Sequence, residues 1–160
     1  MDYSLILPEV YVGSCPASLE DIDRLQRKLG VTAVLNLQTD EDLDRLDCDW
    51  PRLRAHYRRL HIRVRRVPIR DFDEGDLRKR LPECVKALGE MLRDNHIAYV
   101  HCTAGMGRAP SVVIAYLHWV RQHELDHAVH LVADSRPCCP NLEAIRLAGE
   151  DVWGDGKNDE

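Results

Sequence analysis

Two glycines within three residues, Gly105 and Gly107, join a short β-forming run, Ile97 to Val100, to a strongly apolar helical stretch, Arg108 to Gln122. A chain that leaves a buried strand, turns this tightly and enters a helix is committed to an α/β architecture. The turn then lies at the carboxyl end of the strand, where such sheets bind ligands. Its residues, His101-Cys-Thr-Ala-Gly-Met-Gly-Arg108, narrow the chemistry. Glycines let the backbone turn its N–H groups inward as a nest, and the N-terminus of the following helix points the same way. The natural occupant is an anion, so Thr103, Ala104, Gly105, Met106, Gly107 and Arg108 are read as phosphate-binding. Arg108 can grip two non-bridging oxygens with its planar fork. Cys102 sits at the floor of the turn, where the same field lowers a thiol's pKa; cysteines so placed reach roughly 3.5–7.5. A thiolate facing a phosphate is a nucleophile aimed at phosphorus.

The rest of the chain supplies the frame for that turn. Ser18 caps a helix over 18–29 that Gly30 ends. Val31 to Leu37 alternates as a strand, and helical pieces follow at 41–46 and 51–60. His61 to Ile69 reads as a second strand with one wet face. Helical spacing runs from Asp76 to Asp94, with Pro82 marking a break or a new first turn, and Asp76 suits the N-cap. Two further helices fall near 125–135 and 141–151. The expected fold is α/β: a central mixed, largely parallel sheet flanked by helices on both faces. Residues 1–150 form a single domain, and 151–160 an acidic, disordered tail.

Composition sets the class. A chain of 160 residues, 44% hydrophobic and 31% charged, suits one globular domain and excludes wholesale disorder. The longest apolar run, Ser111 to Val120, is too short to cross a bilayer. The first residues lack the basic start and apolar core of a secretion signal. Six cysteines in this setting read as free thiols, giving the expectation of a cytoplasmic protein without membrane insertion. The net charge of -5 hides a segment, Arg52 to Arg80, with a local excess of +7. Either its arginines pair with neighbouring acids on a solvated face, or they form a basic collar that attracts an anionic substrate.

Displacing an alkoxide requires a general acid. Four carboxylates precede the turn within reach of that role: Asp71, Asp73, Glu74 and Asp76. On the residues alone the choice between them is open.

The pattern His101-Cys102-x2-Gly105-x2-Arg108 resembles the signature of the cysteine-dependent protein tyrosine phosphatase superfamily. Ala115-Tyr-Leu117 is similar to its dual-specificity branch. The stretch His101 to Pro110 resembles the catalytic loop of plant starch-excess-type phosphoglucan phosphatases, relatives of laforin. Val12-Gly-Ser-Cys15, Ile69-Arg-Asp-Phe-Asp73, Arg80-Leu-Pro82 and Ala144-Ile-Arg146 agree with it, and the likeness covers about residues 8–150. The resemblance implies a phosphomonoesterase working through a cysteinyl-phosphate, with no metal and no cofactor. It implies catalytic roles for Cys102, Arg108 and, as the acid, Asp71. It gives His101 a loop-orienting role and makes Phe72 a substrate-contact residue for sugar rings. Ala109 stands where the wider superfamily often has Ser or Thr, which leaves the departing thiolate less stabilised and phosphate release slower. Arg45-Leu46 and Cys139 stand where the plant branch tends to place aromatics.

The expected substrate is a phosphorylated glucan, or alternatively a phosphotyrosine, phosphoserine or phosphothreonine protein. Two other readings are a non-catalytic phosphate-binding module and a nucleic-acid 5′-phosphatase. An intact nucleophile and acid argue against the first. The absence of aromatics interleaved with the basic residues argues against nucleic acid. His123-Glu-Leu-Asp-His127 matches His-Glu-x-x-His, but the tract straddles two helices, so the histidines are read as exposed rather than zinc-binding.

Overall fold

The computed structural model describes residues 1–154. Twelve elements follow in order: β1 (Tyr3–Leu7), β2 (Val10–Gly13), α1 (Leu19–Leu29), β3 (Ala33–Asn36), α2 (Asp40–Arg45) and α3 (Trp50–Arg59); then β4 (Arg63–Arg66), α4 (Glu74–Arg93), β5 (Ala98–His101), α5 (Arg108–Trp119), α6 (Leu125–Ala133) and α7 (Leu142–Trp153). The strands form one sheet in the order β1-β2-β5-β3-β4, antiparallel only between β1 and β2. The mixed, largely parallel sheet is the expected architecture. β5 lies at its centre, so the turn that follows it is surrounded by the ends of β2 and β3.

Alternation along the strands divides the core in two. Val10, Val12, Ala33, Leu35, Ala98 and Val100 face α4–α7. Val34 and Tyr99 face the other side, against Ile22 and Leu25 of α1 and Leu53 and Tyr57 of α3. Helix α5 is buried from Arg108 to Leu117, which is why its sequence is apolar all round. No helix among the described residues is long and apolar enough to cross a membrane.

Several boundaries differ from the sequence reading. The hairpin β1–β2 was not anticipated, because Pro8-Glu9 interrupts two short runs and β1 is irregular between Leu5 and Leu7. The second predicted strand shrinks to four residues, an edge with alternately exposed side chains. Helix α4 runs unbroken through Pro82. An interior proline costs about 3 kcal/mol, but Leu77, Leu81, Cys84, Val85, Leu88 and Met91 bury one continuous face. Burying a single large apolar side chain contributes about 1.5–3 kcal/mol, so that face outweighs the proline. The predicted tail begins too early: α7 continues to Trp153, and Asp151 holds Arg78 by two hydrogen bonds of 2.7 and 2.6 Å. Residues 155–160 of that tail lie outside the described residues.

Candidate active site

The catalytic loop is shaped by its carbonyl groups. Nearly all of them bond outward, which leaves the N–H groups facing the concave side. The His101 carbonyl accepts from Leu37 N at 3.0 Å, and that of Thr103 from Cys15 N at 3.0 Å. Met106 O accepts from Cys139 N at 2.7 Å. Gly107 O accepts from Ser111 N at 3.1 Å and from Ser111 Oγ at 2.8 Å. Arg136, itself buried, reaches Ala104 O at 3.5 Å while also donating to Val12 O and to Asp2 Oδ1, at 2.8 and 2.6 Å. The close approach of β2 requires glycine at 105: a Cβ there would lie 2.4 Å from the Gly13 carbonyl, and its φ is +73°. Gly105 N donates to Cys102 Sγ at 3.3 Å, and Gly107 caps α5 without a side-chain acceptor. The loop therefore offers N–H groups around a buried thiol.

Arg108 is buried in a fixed orientation. Nη1 donates to Asp42 Oδ2 at 2.6 Å and to Ile69 O at 2.7 Å. Nε lies 3.4 Å from Asp71 Oδ1 but is not aligned to donate to it, so Nε has no hydrogen-bond partner. Nη2 makes only a long contact, 3.5 Å, to Thr103 Oγ1. One edge of the fork is anchored, and the Nε/Nη2 edge is left to bind two oxygens of an anion. Asp42 is the anchor. Burial alone would raise its pKa, but the hydrogen bond from Arg108 and those from Thr39 outweigh burial and hold it below the ordinary carboxylate value.

His101 lies beneath the loop. Its Nδ1 is 3.0 Å from the Cys102 carbonyl, which can only accept, so Nδ1 carries the proton and Nε2 is left buried without a partner. Burial, reinforced by the Arg108 charge and opposed by the bond to Cys102, lowers its pKa to about 4. The ring is neutral near pH 7 and is hydrogen-bonded to the loop at the Cys102 carbonyl.

Of the four candidate acids, Asp71, Asp73 and Glu74 line the cavity, and two of the four are engaged by backbone N–H groups at the start of α4. Asp73 is the N-cap of α4, accepting from Asp76 N at 2.9 Å, and Asp76 accepts from Arg70 N at 2.7 Å. The expected cap at Asp76 is thus displaced to Asp73, because the helix begins three residues earlier. Asp71 is partly exposed beside Arg108, and its Oδ1 accepts from Phe72 N at 3.2 Å. Phe72 has φ +57° and is wholly exposed. A bulky residue in that region is strained by about 1–3 kcal/mol, and the turn sets its ring in solvent.

Cys102, Arg108, Asp71, Phe72, Ala104, Met106 and Gly107 all line one cavity of about 490 Å³. Thr103 and Gly105 do not line it; Thr103 Oγ1 instead meets Gln38 Nε2 at 3.2 Å. The cavity also includes Cys139, which brings an exposed thiol to the rim. Elsewhere, His123 and His127 approach at 3.1 Å, but among the described residues no group of three or more metal-ligating side chains forms. All six cysteines are free thiols.

Asp42 and Arg136 were missed from sequence. For Asp42 a signal existed: Thr39 and Asp42 exchange backbone bonds as a capping box, and the pattern Thr-x-x-Asp was legible.

Two consequences can be measured. Asp42→Asn removes the charge that pins Arg108, so kcat should fall by up to ~10²-fold through misplacement while the chain stays folded; steady-state kinetics with circular dichroism checks this. The unfolded His101 imidazole takes its proton near 6.5, whereas the folded one waits until about 4. Its contribution to stability is intact above 6.5 and is lost as pH falls through that window, by up to roughly 3 kcal/mol. Urea midpoints across that range should drop more steeply for the native chain than for His101→Asn.

Residues 10–147 match the family described as dual specificity phosphatase, catalytic domain. The chain is 41% identical over 154 residues to phosphoglucan phosphatase DSP4, amyloplastic, of Castanea sativa, covering 95% of this chain and 41% of that one. It is 33% identical over 147 residues to laforin of Mus musculus, covering 86% and 44%. Among solved structures, PTPMT1 superposes with a TM-score of 0.76 at 21% identity, covering 98% of this chain and 100% of the other. The chain spans less than half the length of these two curated relatives.

Proposed function

The chain belongs to the dual specificity phosphatase family, and from that premise we propose that it is a cysteine-dependent phosphomonoesterase acting on a phosphorylated glucan. The observation that carries the chemistry is the unsatisfied Nε edge of Arg108, beside the same cavity as the Cys102 thiol, to which Gly105 N donates. A tetrahedral dianion satisfies both at once. The substrate class is supported by the likeness to phosphoglucan phosphatase DSP4 and by Phe72, whose exposed ring stands at the cavity rim and offers an apolar face to a sugar.

In the proposed sequence, the phosphoryl group enters with its non-bridging oxygens on the loop amides and the Arg108 fork. Cys102 Sγ attacks phosphorus as the bond to the ester oxygen breaks, and Asp71 gives that oxygen its proton. The alcohol departs and leaves a cysteinyl-phosphate. A water molecule then attacks phosphorus, Asp71 takes its proton, the S–P bond breaks, and inorganic phosphate and the thiolate are released. Asp71 suits both steps because its side chain reaches the cavity while remaining accessible to water. Ala109, buried in α5, supplies no hydroxyl to the departing sulfur, which keeps the hydrogen bond from Gly105 N.

Asp71→Ala should slow an alkyl phosphate by about 10²–10⁴-fold and p-nitrophenyl phosphate far less, since that leaving group scarcely needs a proton. The same pattern in Asp73→Ala instead would transfer the role. For the substrate, phosphate release is compared on a phosphorylated glucan, a phosphotyrosine peptide and a phosphothreonine peptide, with Cys102→Ser as the blank. The reading expects preference for the glucan and a selective loss of that activity in Phe72→Ala. Preference for a peptide, or equal losses on all three, would make the substrate a phosphoprotein.

A further inference from the structure

The basic segment that stands out in the sequence does not encircle the catalytic cavity. Of its eleven cations, Arg70 alone lines that cavity. On β4 and α4 most of the charges are paired: Arg63, Arg65, Arg66, Arg78 and Arg80 each meet a carboxylate within 3.7 Å, and Lys79 has no ion pair among the described residues. Helix α3 is different. Its sequence, Trp-Pro-Arg-Leu-Arg-Ala-His-Tyr-Arg-Arg, contains four arginines and no acid. Arg52, Arg54, Arg58 and Arg59 are all exposed, and among the described residues none has an ion-pair partner.

Helix α1 lies beside it, joined by the His56–Asp23 contact of 2.7 Å. It adds Arg24, Arg27 and Lys28, exposed and likewise unpaired among the described residues. Of the acids on α1, Asp23 is held by His56 and Asp21 accepts from Ala17 N, which leaves Glu20. The result is a broad cationic flank on a protein whose net charge is -5.

Helix stability explains only part of this. Arg27, Lys28, Arg58 and Arg59 lie in last turns, where cations complement the macrodipole. Arg52 lies in the first turn of α3, where a cation opposes the dipole, and Arg54 lies just beyond it. These two are also at the end of α3 tied to the active site. Trp50 lies under the Arg66 guanidinium at 5.5 Å, and Arg66 bonds Asp40 of α2, the helix that carries Asp42. The Asp49 carboxylate that caps α3 is taken up by the Arg52 backbone N–H at 3.2 Å and forms no ion pair with the Arg52 or Arg54 guanidinium, so both side chains are free for an anionic partner.

We infer that the α1–α3 flank is a second contact surface for the phosphorylated glucan. It engages phosphate groups other than the one in the catalytic cavity. The inference rests on the substrate reading above. A phosphate monoester carries nearly two negative charges near neutrality and presents oxygens that match the arginine fork. From Arg52 to Arg59 the flank extends roughly 10 Å along the helix axis, so a chain bearing several phosphates meets several forks. Each contact is exposed and individually weak, so the binding is collective and sensitive to salt.

The test is Arg52→Glu/Arg54→Glu, with and without Cys102→Ser. An acid in the first turn of α3 complements the dipole, so the melting temperature should be unchanged or higher, and lost binding cannot be blamed on misfolding. In the Cys102→Ser background, co-sedimentation with a phosphorylated glucan at low salt should weaken about tenfold, the difference closing at raised salt. Binding to the same glucan stripped of phosphate should not change. With Cys102 intact, turnover of p-nitrophenyl phosphate should equal that of the native chain. Unaltered affinity for the phosphorylated glucan overturns the inference, as does an equal loss on the stripped glucan. Loss confined to anionic vesicles or to an oligonucleotide overturns it in favour of that polyanion. A native chain that releases phosphate from peptides but not from glucan defeats the substrate reading. A native chain active on glucan, matched by the double variant in binding and release, defeats only the docking surface.

Discussion

What the catalytic loop can do follows from where its carbonyl oxygens go. A peptide group that bonds outward through its oxygen turns its N–H the other way, and here the outward acceptors are held by parts of the chain distant in sequence. Leu37 holds His101, Cys15 holds Thr103, Arg136 holds Ala104, and Cys139 holds Met106. The tethers come from three segments around the sheet end, those after β3 and β2 and the connection between α6 and α7, so the nest is a property of the whole fold. The loop sequence permits this geometry, and the surrounding segments impose it. On the proposed function such preorganisation counts, because donors aligned in advance meet charge building on the phosphoryl oxygens with no reorganisation left to offset the gain.

Arg108 obeys the same logic. A guanidinium buried without a partner would cost several kcal/mol, yet complete pairing would leave nothing for substrate. The structure divides the group: Asp42 and the Ile69 carbonyl saturate Nη1, and the opposite edge is left short of acceptors. Asp42 meets its own burial penalty by serving two masters, closing the capping box of α2 and holding Arg108. The depressed pKa of Asp42 and the fixed pose of Arg108 are two views of one interaction.

The parts of this site that could be read from sequence were local. Strand, glycine turn and apolar helix are contiguous, so His101 to Arg108 declared itself through residue type and spacing. Helix α1 was equally plain, since Ser18, Asp21 and Gly30 act within one helix. What escaped depends on distance along the chain. Asp42 and Arg108 are 66 residues apart, and Arg136 and Val12 are 124 apart. Periodicity carries no trace of such contacts. The start of α4 was misplaced for a related reason: Asp73, Glu74 and Asp76 are all plausible near an N-terminus, and only the bond from Asp76 N to Asp73 decides the cap.

The charge pattern shows how composition misleads when the fold has the last word. One continuous basic segment looks like one feature, but it spans α3, β4 and α4, which present their side chains to different neighbours. On β4, edge position and proximity to α4 bring carboxylates to the arginines; Arg65 meets both Glu83 and Glu90. On α3 the nearest element is α1, whose acids are mostly committed to Ala17 and His56. Pairing therefore follows from which element lies alongside: the arginines of β4 and Arg78 and Arg80 of α4 are paired, and those of α3 are not. Among the unpaired arginines of α3, Arg52 is the one that lies in the first turn, against the dipole of its own helix.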